Sequence, residues 1–586
     1  MDEQPKSIWK KSLRLPQLFL VWLGLMGSTL LMFVVTMLVF NQPFTKPHEH
    51  LRLLVFIAVC ATVLLSGWLF VRWLCCWRNI KRTLFGVACL ATLIALFYAE
   101  ENWRGKRAWD HFRREWEAKG EKFDFKDFIP PPVPDEQNFA MTPVVATSYN
   151  YILSRDGKKI PNERRDTNLI NRLSFDLGDV ELKTNGLGYW VNGTITDLSF
   201  RQKFYRELAA KTNLFPVPPQ PTTPAADVLL ALSKFDSTVE ELRQASLLPY
   251  SRFPLNYDTD CQAEILLPSL SAMKSSAQLL RLRAIAELQN GQSEKALADV
   301  TLGWRLATAD SNEPFLISHL VGVAIADLML QPIYEGLANH QWTAAQLAAL
   351  EAELKKMDFL ADYQFAIRGE IVLHTGVLGY LRHNPEKILD LSSDFNNHSS
   401  DKLSTLARGV WWLIPNGWFY QNQMRTCRFL VQNNLPASAP EQHQVFPLAV
   451  QRADAALEQE FKSKTPYNFL ERMFLPALAN AVKRFAHRQS AIDLARSAIA
   501  LERYRLTHGE FPETLSVLEP QLIAQLPRDV IGGGPLKYRR EANGTFTLYS
   551  IGWNERDDGG VAIFKKGSIA DLDVTQGDWV WRYPQK

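Results

Sequence analysis

Three carboxylates, Asp258, Asp260 and Glu264, follow the aromatic stretch 250–257 (YSRFPLNY). Carboxylates this close can divide general acid and general base work between them. Beside aromatic rings, that chemistry would suit glycan hydrolysis. The competing reading is an acidic helix start, because carboxylates are favoured at a helix N-terminus. His48 and His50 have a spacing that a metal could use, but two histidines fall short of a zinc site, and solvated loop residues are the simpler reading. The chain carries no nucleophile elbow, zinc-protease helix, phosphate loop or dinucleotide fingerprint. The expectation is therefore non-enzymatic, with no catalytic or cofactor-binding residue assigned.

The elements that would position any such site follow from length and charge. A chain of 586 residues has room for two or more soluble folding units. A net charge of +3 is nearly balanced, which argues against a nucleic-acid partner. Of the six cysteines, Cys60, Cys75, Cys76 and Cys89 lie in or beside apolar segments. Cys261 and Cys427 lie beyond them, where they are either a disulfide or two buried thiols.

Three apolar segments occupy the first hundred residues: 18–40, 53–74 and 80–98, the last uncharged from Thr83 on. A bilayer core takes about 20 apolar residues as helix, so three membrane spans are expected, the third of marginal length. The first is too long for a signal-peptide core and reads as an uncleaved anchor. Lys6, Lys10, Lys11 and Arg14 precede the first span, and Arg78, Lys81 and Arg82 precede the third. Short loops rich in Lys and Arg stay cytoplasmic, which puts the N-terminus inside and everything after Tyr98 outside. Arg104, Lys106, Arg107, Arg113 and Arg114 sit on the wrong side of that rule, which long translocated domains obey less strictly.

Beyond this anchor (1–99), the segment 100–145 holds a charged helix over 100–122 and a proline-rich linker, 128–134. The helix interleaves Trp103, Trp109, Phe112 and Trp116 with cations. That composition suits either a membrane interface or packing on the following domain. The segment 146–222 reads as a small β-containing element. Strands are expected at 173–177, 180–182 and 189–191, separated by Asn185-Gly186 and Asn192-Gly193 turns, with a helix over 200–211. The segment 223–486 reads as an α-helical array. Thr223 before Pro224 starts it, and capping boxes are expected at Ser237/Glu240 and Thr343/Gln346. Helices over 266–289, 294–310, 314–339, 344–356 and 360–379 follow, and 280–309 looks like one tetratricopeptide-type hairpin. The aromatic cluster in 410–420 reads as a core staple at a helix junction.

The last hundred residues carry the most specific pattern. An amphipathic helix over 491–507 ends at His508-Gly509 and runs on to Phe511-Pro512. Leu526-Pro-Arg-Asp529, Leu536-Lys-Tyr538 and 546–551 then lead to Gly552. This order resembles the globular part of the major type II secretion pseudopilin. The resemblance implies a small α/β module over 487–586, lying outside the cytoplasm, with a calcium site in the loop after Tyr549-Ser-Ile-Gly552. The implied ligands are Asn554, Asp557, Asp558, Asp571 and Asp573, although Asn554 stands where an Asp is usual. From 129–143 through 250–257 to this module, the chain also resembles large bacterial membrane-anchored helical proteins, which implies architecture and no activity.

The fold expected is mainly α: three N-terminal transmembrane helices, a TPR-like α-hairpin array and a pseudopilin-like C-terminal module. The expected setting is the bacterial inner membrane, with the soluble region periplasmic. The bilayer and a protein of the envelope are the expected partners, and calcium the possible ion. The leading function is a scaffold or partner-binding protein. The alternatives are an accessory component of a secretion or pilus-type machinery, and a glycan hydrolase built on Asp258, Asp260 and Glu264.

Overall fold

The computed structural model describes residues 19–28, 58–59, 61–71, 77–149, 151–153, 159–161, 172–177, 186–212, 214–388, 411–475, 478, 481–566 and 571–583. The chain forms two compact units, 1–101 and 102–586.

Among the described residues, two helices are long and apolar enough to cross a membrane, not the three expected at the N-terminus. One is the apolar part of helix α1 (Trp77–Glu117), whose apolar window is 0% buried. The other, Leu316–Ala338, has 67% of its window buried and is a core helix of the second unit. The two earlier expected spans fall largely outside the described residues. Their described parts, Phe19–Ser28 and Ala61–Val71, are shorter apolar helices. The expected third span and the charged helix after it form one uninterrupted helix of 41 residues, about 60 Å long at 1.5 Å per residue.

In the second unit, α1 buries Trp109 and Phe112 against Phe123, with ring centroids 5.8 Å apart in each pair. Trp103 stays 62% exposed, so the aromatics divide between packing and solvent. The proline run does not stand off as a free spacer. Pro130 is buried, and its carbonyl accepts from Arg252 Nε at 3.0 Å.

The segment expected to form strands behaves differently. Residues 173–177 have no regular structure, and Trp190–Asn192 is a 3-10 turn. The expected strand over 180–182 lies outside the described residues. The described strands here are β1 (Tyr151–Leu153) and β2 (Lys159–Pro161), an antiparallel pair. The reason is tertiary. The Trp190 N–H donates to Gln331 Oε1 at 2.5 Å and its indole to Asp327 Oδ1 at 3.1 Å. Side chains of a core helix thus take hydrogen bonds that a neighbouring strand would otherwise satisfy.

Helices α2 (Ser199–Lys211), α3 (Pro224–Leu232), α4 (Asp236–Ser246), α5 (Ser269–Gln289), α6 (Ser293–Ala307), α7 (Leu316–Ala338), α8 (Ala344–Leu354) and α9 (Phe359–His383) follow. Thr223 caps α3 through Ala226 N, and Thr343 with Gln346 forms a complete capping box on α8. The box expected at Ser237 is absent, because α4 already begins at Asp236 and Ser237 lies inside its first turn. The α5–α6 turn passes through Gly291 at φ +73°. A tetratricopeptide repeat does not follow: α5, α6, α7 and α8 have 21, 15, 23 and 11 residues, too unequal to stack as copies. At Gly303 of α6, a Cβ would lie 2.0 Å from Met329 Sδ of α7, so glycine sets how closely these helices approach. Asp299 of α6 is fully buried and paired with Arg243 of α4 at 2.5 Å and Arg283 of α5 at 2.9 Å.

Helices α10 (Asn416–Phe429) and α11 (Pro447–Lys462) flank a short hairpin of β3 (Ser438–Ala439) and β4 (Gln444–Val445). In the expected aromatic staple, Phe419 is buried and Trp412 is 60% exposed. Cys261 and Cys427 are both buried free thiols.

The last helix, α12 (Ala481–His508), begins before the expected boundary at 487 and packs on α7, α8 and α9. Gly509, at φ +82°, ends it. An antiparallel sheet ordered β5 (Lys537–Arg540), β6 (Phe546–Ser550) and β9 (Trp579–Arg582) covers it. A separate hairpin of β7 (Ala562–Phe564) and β8 (Leu572–Gly577) completes the C-terminal strands. Leu548 of β6 pairs with Trp581 of β9. The Trp581 ring lies 5.6 Å from Trp190 and 5.5 Å from Tyr334 of α7. One apolar cluster therefore runs from Trp109 to Trp581, and residues 487–586 share it. Trp581→Ala should cost about 3–5 kcal/mol of stability. Trp412→Ala, at an exposed ring, should change it by less than about 0.5 kcal/mol. Denaturant melts of the two variants check this, and equal losses would contradict the packing.

Candidate functional site

Polar groups meet at an open cleft between α12, the β3–β4 hairpin and the loop 524–528. Helical spacing of three puts Asp493 and Arg496 on one face of α12. The hairpin turns through Pro440–Gln442 and places His443 in the left-handed region, at φ 54° and ψ 44°. Left-handed backbone at a non-glycine residue is costly and tends to mark functional sites. His443 Nε2 lies 2.7 Å from Asp493 Oδ2. Asp493 is buried, with Gln489 Nε2 at 3.4 Å and Arg496 at 3.9 Å from its other oxygen. Glu351 of α8 holds Arg496 at 2.9 Å. Lys355, Gln525 and Arg528 complete a cleft of about 450 Å³.

Burial alone would lower the pKa of His443, but the hydrogen bond and charge of Asp493 outweigh it and raise the imidazole above its ordinary value. With Lys355, Arg496 and Arg528, the cleft then carries more positive than negative charge. A His–Asp pair is also the base half of a nucleophilic triad. Here the lining residues include no Ser, Thr or Cys, so the pair lacks a nucleophile to activate. Two guanidinium groups and an ammonium around one cleft, with the His443 imidazole beside them, suit the binding of a carboxylate or another anion.

Asp258, Asp260 and Glu264 are all exposed. The helix they were expected to start begins later, at Ser269, and Glu264 ends a short 3-10 turn. The acids that matter in this region are Asp310 and Glu313, between α6 and α7. Ser269 Oγ donates to Asp310 at 3.0 Å, and the Tyr257 hydroxyl donates to Glu313. Burial pushes each carboxyl up to about 7. In sequence, Asp310-Ser-Asn-Glu313 reads as an ordinary polar turn, and only the long-range partners reveal it.

His48 and His50 lie outside the described residues. For the expected calcium ligands, the structure gives other work. Asn554 Nδ2 donates to Asp558 at 2.8 Å. Asp557 accepts from the Tyr549 hydroxyl at 2.9 Å and lies 3.3 Å from Lys537. Asp573 accepts from Thr575, and the Asp571 carbonyl accepts from Lys565 N. At the centre of the loop, the carboxylate of buried Asp578 accepts from the N–H groups of Asp558, Gly560 and Val561. Three amide hydrogens of the loop thus converge on the Asp578 carboxylate. Among the described residues, no group of three or more His, Cys, Asp or Glu is placed to hold a metal ion.

Comparison with family models, curated proteins and solved structures returns no match to this chain. The reading of function therefore rests on its own residues.

Asp310 and Glu313 ionise near 7 when folded and near 4 when unfolded. The folded chain then binds more protons than the unfolded one between about pH 4 and 7, so these acids make stability fall as pH rises through that window. Buried His319, pushed down to about 4, acts oppositely but only below its unfolded value of about 6.5. The double variant Asp310→Asn/Glu313→Gln should gain at least about 2 kcal/mol over the parent between pH 5 and pH 8. Urea melts at both pH values read this, and parallel pH profiles would contradict it.

Proposed function

We propose that this chain is a membrane-anchored envelope protein that captures a protein partner through an anionic group of that partner, without catalysing a reaction. The observation that carries the reading is the cleft around His443, Asp493, Arg496, Lys355 and Arg528, cationic and lined by no nucleophile. The exposed apolar half of α1 supports the anchor, since a helix with 0% of its apolar window buried has nothing else to cover it. The Lys and Arg distribution before the spans supports a cytoplasmic N-terminus and a periplasmic body. A second reading, an accessory component of a secretion or pilus-type machinery, draws support from the order of α12 and the β5–β6–β9 sheet, which follows the pseudopilin pattern.

The test places a cysteine at Gln525, inside the cleft, and applies a membrane-impermeant thiol crosslinker to cells with a permeabilised outer membrane. A defined crosslinked partner is expected. The charge reversal Lys355→Glu/Arg528→Glu should reduce its yield about tenfold or more, since both side chains are exposed and the fold does not depend on them. An unchanged yield would contradict the cleft as the binding site. No labelling at Gln525→Cys in whole cells, with labelling after lysis, would contradict the periplasmic body.

A further inference from the structure

Two of the cations that follow the apolar half of α1, Arg104 and Arg107, belong to a groove with two walls. On α1, Trp103, Arg104, Arg107 and His111 line it, with Glu115 at its far end. The second wall is Arg428 of α10. Its position is set by a close crossing of α1 and α10. A Cβ on Gly105 would lie 2.3 Å from the Gly417 carbonyl oxygen, so only glycine allows the helices to approach this far. Asn102 Oδ1 accepts from the Gly417 N–H at 2.8 Å and pins the start of α10. Arg428 then reaches the Phe112 ring, 6.0 Å from its centroid.

Charge and depth define the ligand. The Arg107 guanidinium lies 5.2 Å from the Trp103 ring centroid, and Arg104 donates to the Tyr467 hydroxyl at 2.8 Å. The one carboxylate of the groove, Glu115, is paired with Lys119 at 2.7 Å, which offsets its charge. Trp103 follows Tyr98 by five residues on one continuous helix, about 7.5 Å along its axis. A headgroup layer is about 5–7 Å thick on each side of the hydrocarbon core. Trp103 therefore falls at headgroup depth, and Arg107 and His111 follow one and two turns beyond it. A volume of about 620 Å³ lies in the range of small-ligand sites.

We propose that this groove binds the phosphate-bearing headgroup of an anionic phospholipid, held between Arg107 and Arg428 with Trp103 beside it. The proposal rests on α1 crossing the bilayer, as proposed above. It explains the five cations that oppose the charge rule: part of them face a lipid ligand. A free phosphate has the same chemistry, but the depth of Trp103 favours the lipid.

The test reconstitutes the full chain into nanodiscs of phosphatidylcholine with phosphatidylglycerol and counts retained phosphatidylglycerol by native mass spectrometry after release into detergent. Arg107→Gln/Arg428→Gln removes two exposed cations from the groove. It should reduce retention about 30-fold, at about fivefold per cation near a surface. Lys106→Gln/Arg114→Gln removes the same amount of charge from α1 outside the groove and should leave retention unchanged. Equal losses in both pairs, or no loss in the first, would overturn the site. Displacement of the lipid by millimolar inorganic phosphate would overturn the lipid as occupant. Failure of the chain to enter nanodiscs would overturn the anchor, and the groove reading with it.

Discussion

A helix that buries polar residues along its length must find a partner for each of them, and α12 is such a helix. Its buried face carries His487, Arg488, Gln489, Asp493, Ser497 and Glu502. An unmatched buried polar group costs about 1–3 kcal/mol, and an unpaired charge more. Ser497 donates to the Asp493 carbonyl within α12, and most of the other partners come from elsewhere in the chain. Asp327 of α7 pairs with Arg488 at 2.6 Å, and the Phe359 N–H at the start of α9 donates to Gln489 at 2.8 Å. His443 meets Asp493, Glu351 of α8 meets Arg496, and His340 meets Glu502 at 2.9 Å. His487 packs between Trp190 and Trp579, neutral because burial pushes it down to about 3. A helix matched in this way can sit in one position only, and the elements around it are ordered by the same contacts.

The cleft around His443 is a by-product of that matching. Asp493 needs a buried partner, and the β3–β4 turn supplies one by holding His443 in a costly backbone conformation. The same pairing raises the pKa of the imidazole and leaves it half-exposed beside Arg496, Lys355 and Arg528. Helix α1 continues without a break from an apolar half into aromatic packing at Trp109 and Phe112.

Local signals carried much of this into the sequence. The Thr223 cap, the Thr343/Gln346 box and the Asn290-Gly291 turn each depend on residues within four positions, and each is found where expected. What depends on distant partners was not legible. Residues 173–177 and 189–191 have strand-like composition, but Asp327 and Gln331 take the hydrogen bonds of Trp190. His443 and Asp493 are fifty positions apart and belong to no motif. Asp258, Asp260 and Glu264 drew attention by proximity in the chain. Asp310 and Glu313 became unusual only through burial against Ser269 and Tyr257. The residue pattern of 487–586 led to a small α/β module, and a helix followed by an antiparallel sheet stands there. It did not reveal that this helix would share the core of the whole second unit.

Native-state hydrogen exchange on the whole protein tests most directly whether α12 is the centre of the fold. The amides of 481–508 should exchange only through the same opening that exposes α5, α6 and α7, with one shared free energy. An opening at lower free energy that releases α12 together with β5, β6 and β9, while α5–α7 stay protected, would contradict the account and make the C-terminal segment an appended module.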